Sequence, residues 1–294
     1  MSKLLAAVEL GGTKVLAAIA TDPLNPLRRT RIATQDPAGT LDLVATFFEE
    51  AKGDFGPPAA LGIASFGPID IRRRSPDWGR MGRTTKPGWQ GADVAGILAA
   101  RLGCPLNLDT DVNGAAIAEA RWGAGRGLGN IAYLTVGTGI GGGLVIDGRP
   151  VHGSLHPEMG HVRLQRHPED DQTSQCAFHP DCAEGLACGP AIMARFGHSL
   201  AELAPDHPFR PILADYLGQL CATLVLIASP ERIIIGGGVM TGGGLHAAIE
   251  RAMSKRLAGY LEPASPDGGA FVVPPALGDH AGLAGGFALA QDLL

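Results

Sequence analysis

Residues 4–20 read LLAAVELGGTKVLAAIA, and residues 131–148 read IAYLTVGTGIGGGLVIDG. Each is an apolar run, a short stretch of glycine and threonine, and a second apolar run. Short apolar runs broken by glycine predict two strands and a reversal. The first pair, 4–9 and 15–20, is joined by Leu10-Gly11-Gly12-Thr13-Lys14 and leads from strand to strand, not from strand to helix. It is therefore neither a dinucleotide fingerprint nor a P-loop, both of which open a helix. The second runs from the strand 131–136 through Gly137-Thr138-Gly139-Ile140-Gly141-Gly142-Gly143 into LVIDG. One such unit in each half predicts an internally duplicated chain. Backbone N–H groups bared at paired glycines make a concavity that accepts phosphate oxygens. Either hairpin alone reads equally well as a plain tight turn. The pair favours two nests that grip the two ends of a polyphosphate.

The segments around these units alternate helix and strand. Leu41–Lys52 has helical spacing and residues 60–66 form a strand ending in Gly67-Pro68-Ile69-Asp70. Residues 71–90 lack periodicity and predict a long loop, in which Trp78 and Trp89 cover a core edge more readily than a ligand. Gly91–Leu102 predicts a helix, Pro105–Leu108 a strand, and Gly114–Trp122 a helix. Between the last two stand Asp109, Asp111 and Asn113, at the carboxyl end of a strand, where α/β folds keep their ligands. Asp109 alone suits a helix cap; two Asp and one Asn exceed what a cap needs, and Asp111 is the favoured functional residue. Later come helices over 189–196 and 212–228, a strand over 232–235 ending in Gly236-Gly237-Gly238, a helix from Leu245, a strand over 270–273 and a terminal helix. The triple glycine permits close approach of adenine and ribose, or merely a tight packing turn.

The stretch HPEMGH (156–161) and, beyond a polar run, CAFHPDCAEG (176–185) carries a further pattern. His161, Cys176, His179 and Cys182 form H-x14-C-x2-H-x2-C. Two thiolates and two imidazoles make a closed tetrahedral set, the donor set of structural zinc with no position for water. Such an ion would staple a long loop and fix the nearby carboxylates Glu158 and Glu184. A zinc hydrolase is disfavoured because the four ligands fill the metal.

With 294 residues, 45% hydrophobic and 18% charged, the chain has the size of two globular domains. A net charge of −5 disfavours nucleic acid as a main partner, and Arg72–Arg74 reads as a solvated turn. No signal peptide and no apolar stretch of membrane-spanning length are expected. Five cysteines, two of them in the metal pattern, suit a reducing cytoplasm.

The ordered set ELGGTK, SFGPID, TKPGW, DTDVNGAA, TVGTGIGGG, HPEMGH, CAFHPDCAEG and IIIGGGVM resembles the ROK family of repressors, open reading frames and sugar kinases, from residue 6 to about 290. It is most similar to the family's bacterial fructokinases: Glu9 and His179 stand where its glucokinases have Asp and Cys. The resemblance implies an α/β, actin/hexokinase-like (ribonuclease H-like) duplicated two-domain fold with an interdomain cleft and a zinc-stapled loop. It places domain one at residues 1–112 plus 280–294 and domain two at 113–279. It implies Mg2+-ATP-dependent phosphorylation of a hexose, fructose foremost, with mannose or glucose as alternatives. Asp111 would be the general base. Asn113, Glu158, Glu184, Gly67, Pro68 and His156 would line the sugar pocket. Gly11, Gly12, Thr13 and Lys14 would form the first phosphate motif, Gly137, Thr138 and Gly139 the second, and Gly236–Gly238 the adenosine motif. Zn2+ would sit on His161, Cys176, His179 and Cys182, and the enzyme would be a homodimer. Repressors of the family carry an N-terminal helix-turn-helix, for which a strand beginning near residue 4 leaves no room; a non-catalytic sugar sensor is the remaining alternative.

Overall fold

The computed structural model describes residues 3–84 and 86–294; Met1, Ser2 and Thr85, the first residue of TKPGW, lie outside them. The chain divides into two compact units, Met1–Ala118 with His152–His156 and Asp279–Leu294, and Glu119–Val151 with Pro157–Gly278. This division falls inside the helix after Asp111 and returns 152–156 to the first unit, whereas the sequence reading divides the chain at 112 and 279.

In the first unit, β1 (Leu5–Leu10), β2 (Lys14–Ala20), β3 (Arg28–Ala33), β4 (Ala60–Ser65) and β5 (Leu106–Thr110) form one sheet in the order β3-β2-β1-β4-β5. β2 runs antiparallel to both neighbours, while β1, β4 and β5 are parallel. The helices α1 (Pro37–Phe55), α2 (Val94–Leu102) and α3 (Asp111–Trp122) follow the strands. In the second unit, β6 (Ile131–Val136), β7 (Ile140–Ile146), β8 (Arg149–Pro150), β9 (Arg232–Gly236) and β10 (Val272–Val273) form the order β10-β9-β6-β7-β8. Its pairings repeat the first pattern: β7 is antiparallel to β6 and β8, and β6, β9 and β10 are parallel. The two sheets thus share one topology, the duplication that the glycine hairpins announce. The helices α4 (Ala183–Ala187), α5 (Gly189–Phe196), α6 (Phe209–Ala228) and α7 (Leu245–Leu257) complete this unit, and α8 (Ala281–Gln291) returns to the first.

Several boundaries differ from expectation for local reasons. β3 was not foreseen: RRTRIA offers no buried face, as befits a charged edge strand. α1 starts four residues before Leu41, because Asp36 accepts from Gly39 N at 2.9 Å and Pro37 opens the helix. α3 starts at Asp111 rather than Gly114, since Asn113 N donates to Thr110 Oγ1 at 3.2 Å. Thr110, not Asp109, is the cap. Glycines 141–143 belong to β7 and not to the turn; a Cβ at Gly142 would stand 2.6 Å from Met159 Sδ. α6 does have the length and apolarity to span a membrane, contrary to expectation, but 67% of that window is buried. Leu213, Tyr216, Leu217, Leu220 and Cys221, all fully buried, make it a core helix. Trp89 is likewise a core residue, fully buried, with Nε1 donating to Gln35 O at 2.8 Å.

α8 lies against β1 and β4 with no room for a side chain at Gly62. A Cβ there would overlap Gly286 O and stand 2.6 Å from Ala290 N. A Cβ at Gly285 would similarly stand 2.6 Å from Gly114 Cα. These obstacles are backbone atoms, which yield only if the helix shifts. Gly62→Ala should therefore lower stability by about 1–3 kcal/mol. Gly53→Ala, at an exposed α1 position where a Cβ meets nothing, should be neutral or stabilising. Urea midpoints check both; an unchanged midpoint for Gly62→Ala would contradict this packing.

Candidate active site and metal centre

The first unit brings its predicted residues to the carboxyl ends of β1, β4 and β5. The turn Gly11–Thr13 is closed by Gly11 N donating to Lys14 O at 3.0 Å. It is braced by Thr34, whose N donates to Thr13 O at 3.0 Å and whose Oγ1 donates to Gly11 O at 2.7 Å. Gly12 and Thr13 remain exposed. Asp111 stands half-buried at the first position of α3, where the helix N-terminus favours an anion. Its Oδ1 accepts from Val112 N at 2.9 Å. Gly67 and Pro68 follow β4 through a cis peptide, and a Cβ at Gly67 would stand 3.5 Å from the ring of His156, itself buried.

Beneath Asp111 lies a polar network that the sequence does not reveal. Asp109 is 2% exposed, and its Oδ1 accepts from Thr110 N at 2.7 Å and from Asn113 Nδ2 at 2.8 Å. Its Oδ2 meets His152 Nε2 at 2.7 Å, and this bond holds the His152 pKa above its ordinary value. His152 lies 43 positions from Asp109 in the chain, so no local pattern pairs them. Asn113 is fully buried and presents no surface to a ligand in this arrangement; it supports Asp109 and the start of α3.

Glu9, the penultimate residue of β1, stands near Asp111. Burial, above all, pushes its pKa from 4.5 up to about 7; Asp111 and Asp279 add to the rise, while Lys14 and a hydrogen bond from the Leu283 backbone oppose it. Among the described residues its Oε2 has no hydrogen-bond partner.

In the second unit the turn Gly137–Gly139 is held from three sides. Gly137 N donates to Gly139 O at 2.9 Å, Gly189 N donates to Gly137 O at 2.7 Å, and Ile140 N donates to Glu184 Oε2 at 3.0 Å. Gly237, at φ +95°, lies against this turn: Val239 N donates to Val136 O at 2.9 Å, and a Cβ at Gly237 would stand 2.5 Å from Val136 N. Gly238 is exposed, with open space around its missing Cβ. The residues of the two glycine motifs of this unit are therefore contiguous.

His161, Cys176, His179 and Cys182 also converge, with one ligand atom from each and all four atoms within 4.8 Å of one another. Cys176 Sγ lies 3.8 Å from His161 Nδ1 and 3.6 Å from His179 Nδ1, and Cys182 Sγ lies 3.7 Å from His161 Nδ1. A tetrahedral ion with metal–sulfur bonds of about 2.3 Å and metal–nitrogen bonds of about 2.0–2.1 Å spaces its ligands by about 3.3–3.8 Å. The donor set and its spacing fit such an ion. Glu158 is exposed just before the short 3-10 turn Met159–His161, and Glu184 follows Cys182 in the first turn of α4. Cys188 is a buried small residue outside the quartet.

The raised pKa of Glu9 fixes a sign. Its protonated form is favoured in the fold, so this contribution is full below 4.5 and is lost as pH rises through about 7. Glu9→Gln imitates the protonated form at every pH. Without magnesium or nucleotide, the Tm of Glu9→Gln minus that of wild type should grow between about pH 5 and about pH 8. A constant difference would contradict the burial of this carboxyl.

Comparison with known proteins agrees with this geometry. The family model described as the ROK family matches residues 5–293. A fructokinase of Zymomonas mobilis is 44% identical, over 98% of this chain and 96% of its own length. The crystal structure of a ROK hexokinase from Thermus thermophilus superposes with a TM-score of 0.81 at 29% identity, covering 99% of this chain and 98% of that one. A ROK family glucokinase from Streptomyces griseus, in complex with glucose and AMPPNP, gives 0.77 at 25% identity over 98% of this chain and 99% of that one. From its first strand to its last helix, this chain belongs to the ROK family.

Proposed function

We propose that the chain transfers the γ-phosphoryl group of ATP to the 6-hydroxyl of D-fructose, giving fructose 6-phosphate. The observation that carries this reading is the full-length likeness to a fructokinase, on a fold shared with a glucokinase in complex with glucose and AMPPNP. The local geometry described above agrees with it.

Phosphoryl transfer demands an attacking oxygen in line with phosphorus and neutralisation of charge on the phosphoryl oxygens. Asp111 takes the proton of the sugar hydroxyl and aims its oxygen. The turns Gly11–Thr13 and Gly137–Gly139, with Lys14 beside the first, present backbone N–H groups to the phosphates. Gly236–Gly238 seat adenosine, with Gly237 packed against the end of β6 and Gly238 open to the ligand. Glu158 and Glu184 accept from sugar hydroxyls, with His156, Gly67 and Pro68 shaping the pocket, while Asn113 acts from beneath by holding Asp109. Mg2+ with ATP would supply positive charge at the phosphates, and Glu9, with its unpartnered Oε2, would be the carboxyl nearest to serve it. Zn2+ fits the closed set His161, Cys176, His179 and Cys182 and acts there as a structural staple, leaving the reaction to carboxylates and backbone. The family resemblance supports a cytoplasmic enzyme working as a homodimer.

The role of Asp111 is tested by Asp111→Asn, which keeps the size and the helix position. The rate of ADP release with fructose should fall about 10²–10⁴-fold while fructose binding persists. Unchanged kcat would remove Asp111 from the chemistry.

A further inference from the structure

The Glu184 carboxylate touches more than a sugar-binding role requires. Its Oε2 accepts the Ile140 N–H at 3.0 Å, immediately after the turn Gly137–Gly139, and a Cβ at Gly139 would stand 2.5 Å from the same oxygen. Glu184 in turn belongs to the metal loop. It sits two residues beyond Cys182, whose Sγ caps α4 by accepting from Gly185 N at 3.4 Å. The carbonyl of Glu184 accepts from Cys188 N at 3.1 Å, and the adjacent Gly189 N reaches Gly137 O at 2.7 Å. On the other side of the quartet, Gly160 precedes the ligand His161 and lies so close to Ile140 O that a Cβ would overlap it. The turn is thus sewn to the loop at both Gly137 and Ile140, and one of the two stitches is a charged side chain.

We propose that Glu184 is a positioning residue for the nucleotide: by holding the Ile140 N–H it fixes the shape of the turn Gly137–Gly139 and ties that shape to the order of the Cys/His loop. This rests on reading the turn as a phosphate nest. A nest binds through backbone N–H groups, so its affinity depends on how rigidly those groups converge before the ligand arrives. The carboxylate supplies that rigidity through a charge-assisted bond that a loop without Glu184 lacks. Because the same residue serves the sugar, ordering it with fructose would also order the turn, and the coupling would be reciprocal.

The test is titration calorimetry of a non-hydrolysable ATP analogue with Mg2+ and no sugar, so that the sugar role of Glu184 does not enter. Glu184→Ala should weaken the analogue ~10-fold, the scale of one lost hydrogen bond to a charged group. Glu184→Gln keeps an acceptor oxygen for Ile140 N and should restore most of the affinity, while fructose KM in turnover assays stays raised. Glu184→Asp keeps the charge but loses the reach, so it should resemble Glu184→Ala and carries the test if the alanine variant does not fold. Wild-type protein stripped by a strong chelator should bind the analogue more weakly as well. Equal affinity in wild type, Glu184→Ala and Glu184→Asp would overturn the proposal, as would equal weakening in Glu184→Gln and Glu184→Ala. Failure of the wild type itself to bind the analogue would instead remove the phosphate-nest reading on which the proposal stands.

Discussion

The two glycine turns proposed to bind phosphate keep only one backbone bond each within the turn, so their shape has to be held from outside. The structure meets this constraint twice, with different means. In the first unit a single threonine, Thr34, bonds both ends of the turn Gly11–Thr13 from just beyond the end of the neighbouring β3. In the second unit the turn Gly137–Gly139 is held by Gly189, Glu184 and the β9 exit at Val239. This accounts for the place of Thr34 directly after β3 and of Glu184 beside the Cys/His quartet. Each is a brace for a stretch of bare glycine.

Close approach is the second recurring theme. Glycines at 62, 114, 285 and 286 let α8 lie directly on the first sheet and on α3, and glycines at 142, 160 and 237 do the same around the second turn. In both units a helix or loop comes nearer the sheet than a side chain at these positions would allow. The high glycine content of the chain serves packing at least as much as turns.

Much of this was legible in the sequence. The two strand–glycine–strand units gave the duplication because apolar runs and glycine breaks are local signals. The spacing of His161, Cys176, His179 and Cys182 was readable because three of those ligands lie within seven residues. Features that depend on tertiary contact were not. The charges of Arg28, Arg29 and Arg31 conceal β3, which rests on its ladder with β2 and on Ile32 packed against the core. The cap at Thr110 was hidden by two neighbouring aspartates of greater chemical interest. Asp109 and His152 become partners only through folding, as do Glu184 and Ile140. Asn113 looks like a ligand contact in a motif, and its burial beside Asp109 is visible only in the fold.

The central claim is that these braced turns and carboxylates act on fructose. The most direct test is a coupled ADP-release assay on metal-replete protein with Mg2+-ATP and fructose, mannose, glucose or N-acetylmannosamine in parallel, comparing kcat/KM. The account predicts that fructose leads by orders of magnitude. Equal rates with mannose or glucose would contradict the fructose assignment, and no ADP release with any of the four would contradict the kinase itself.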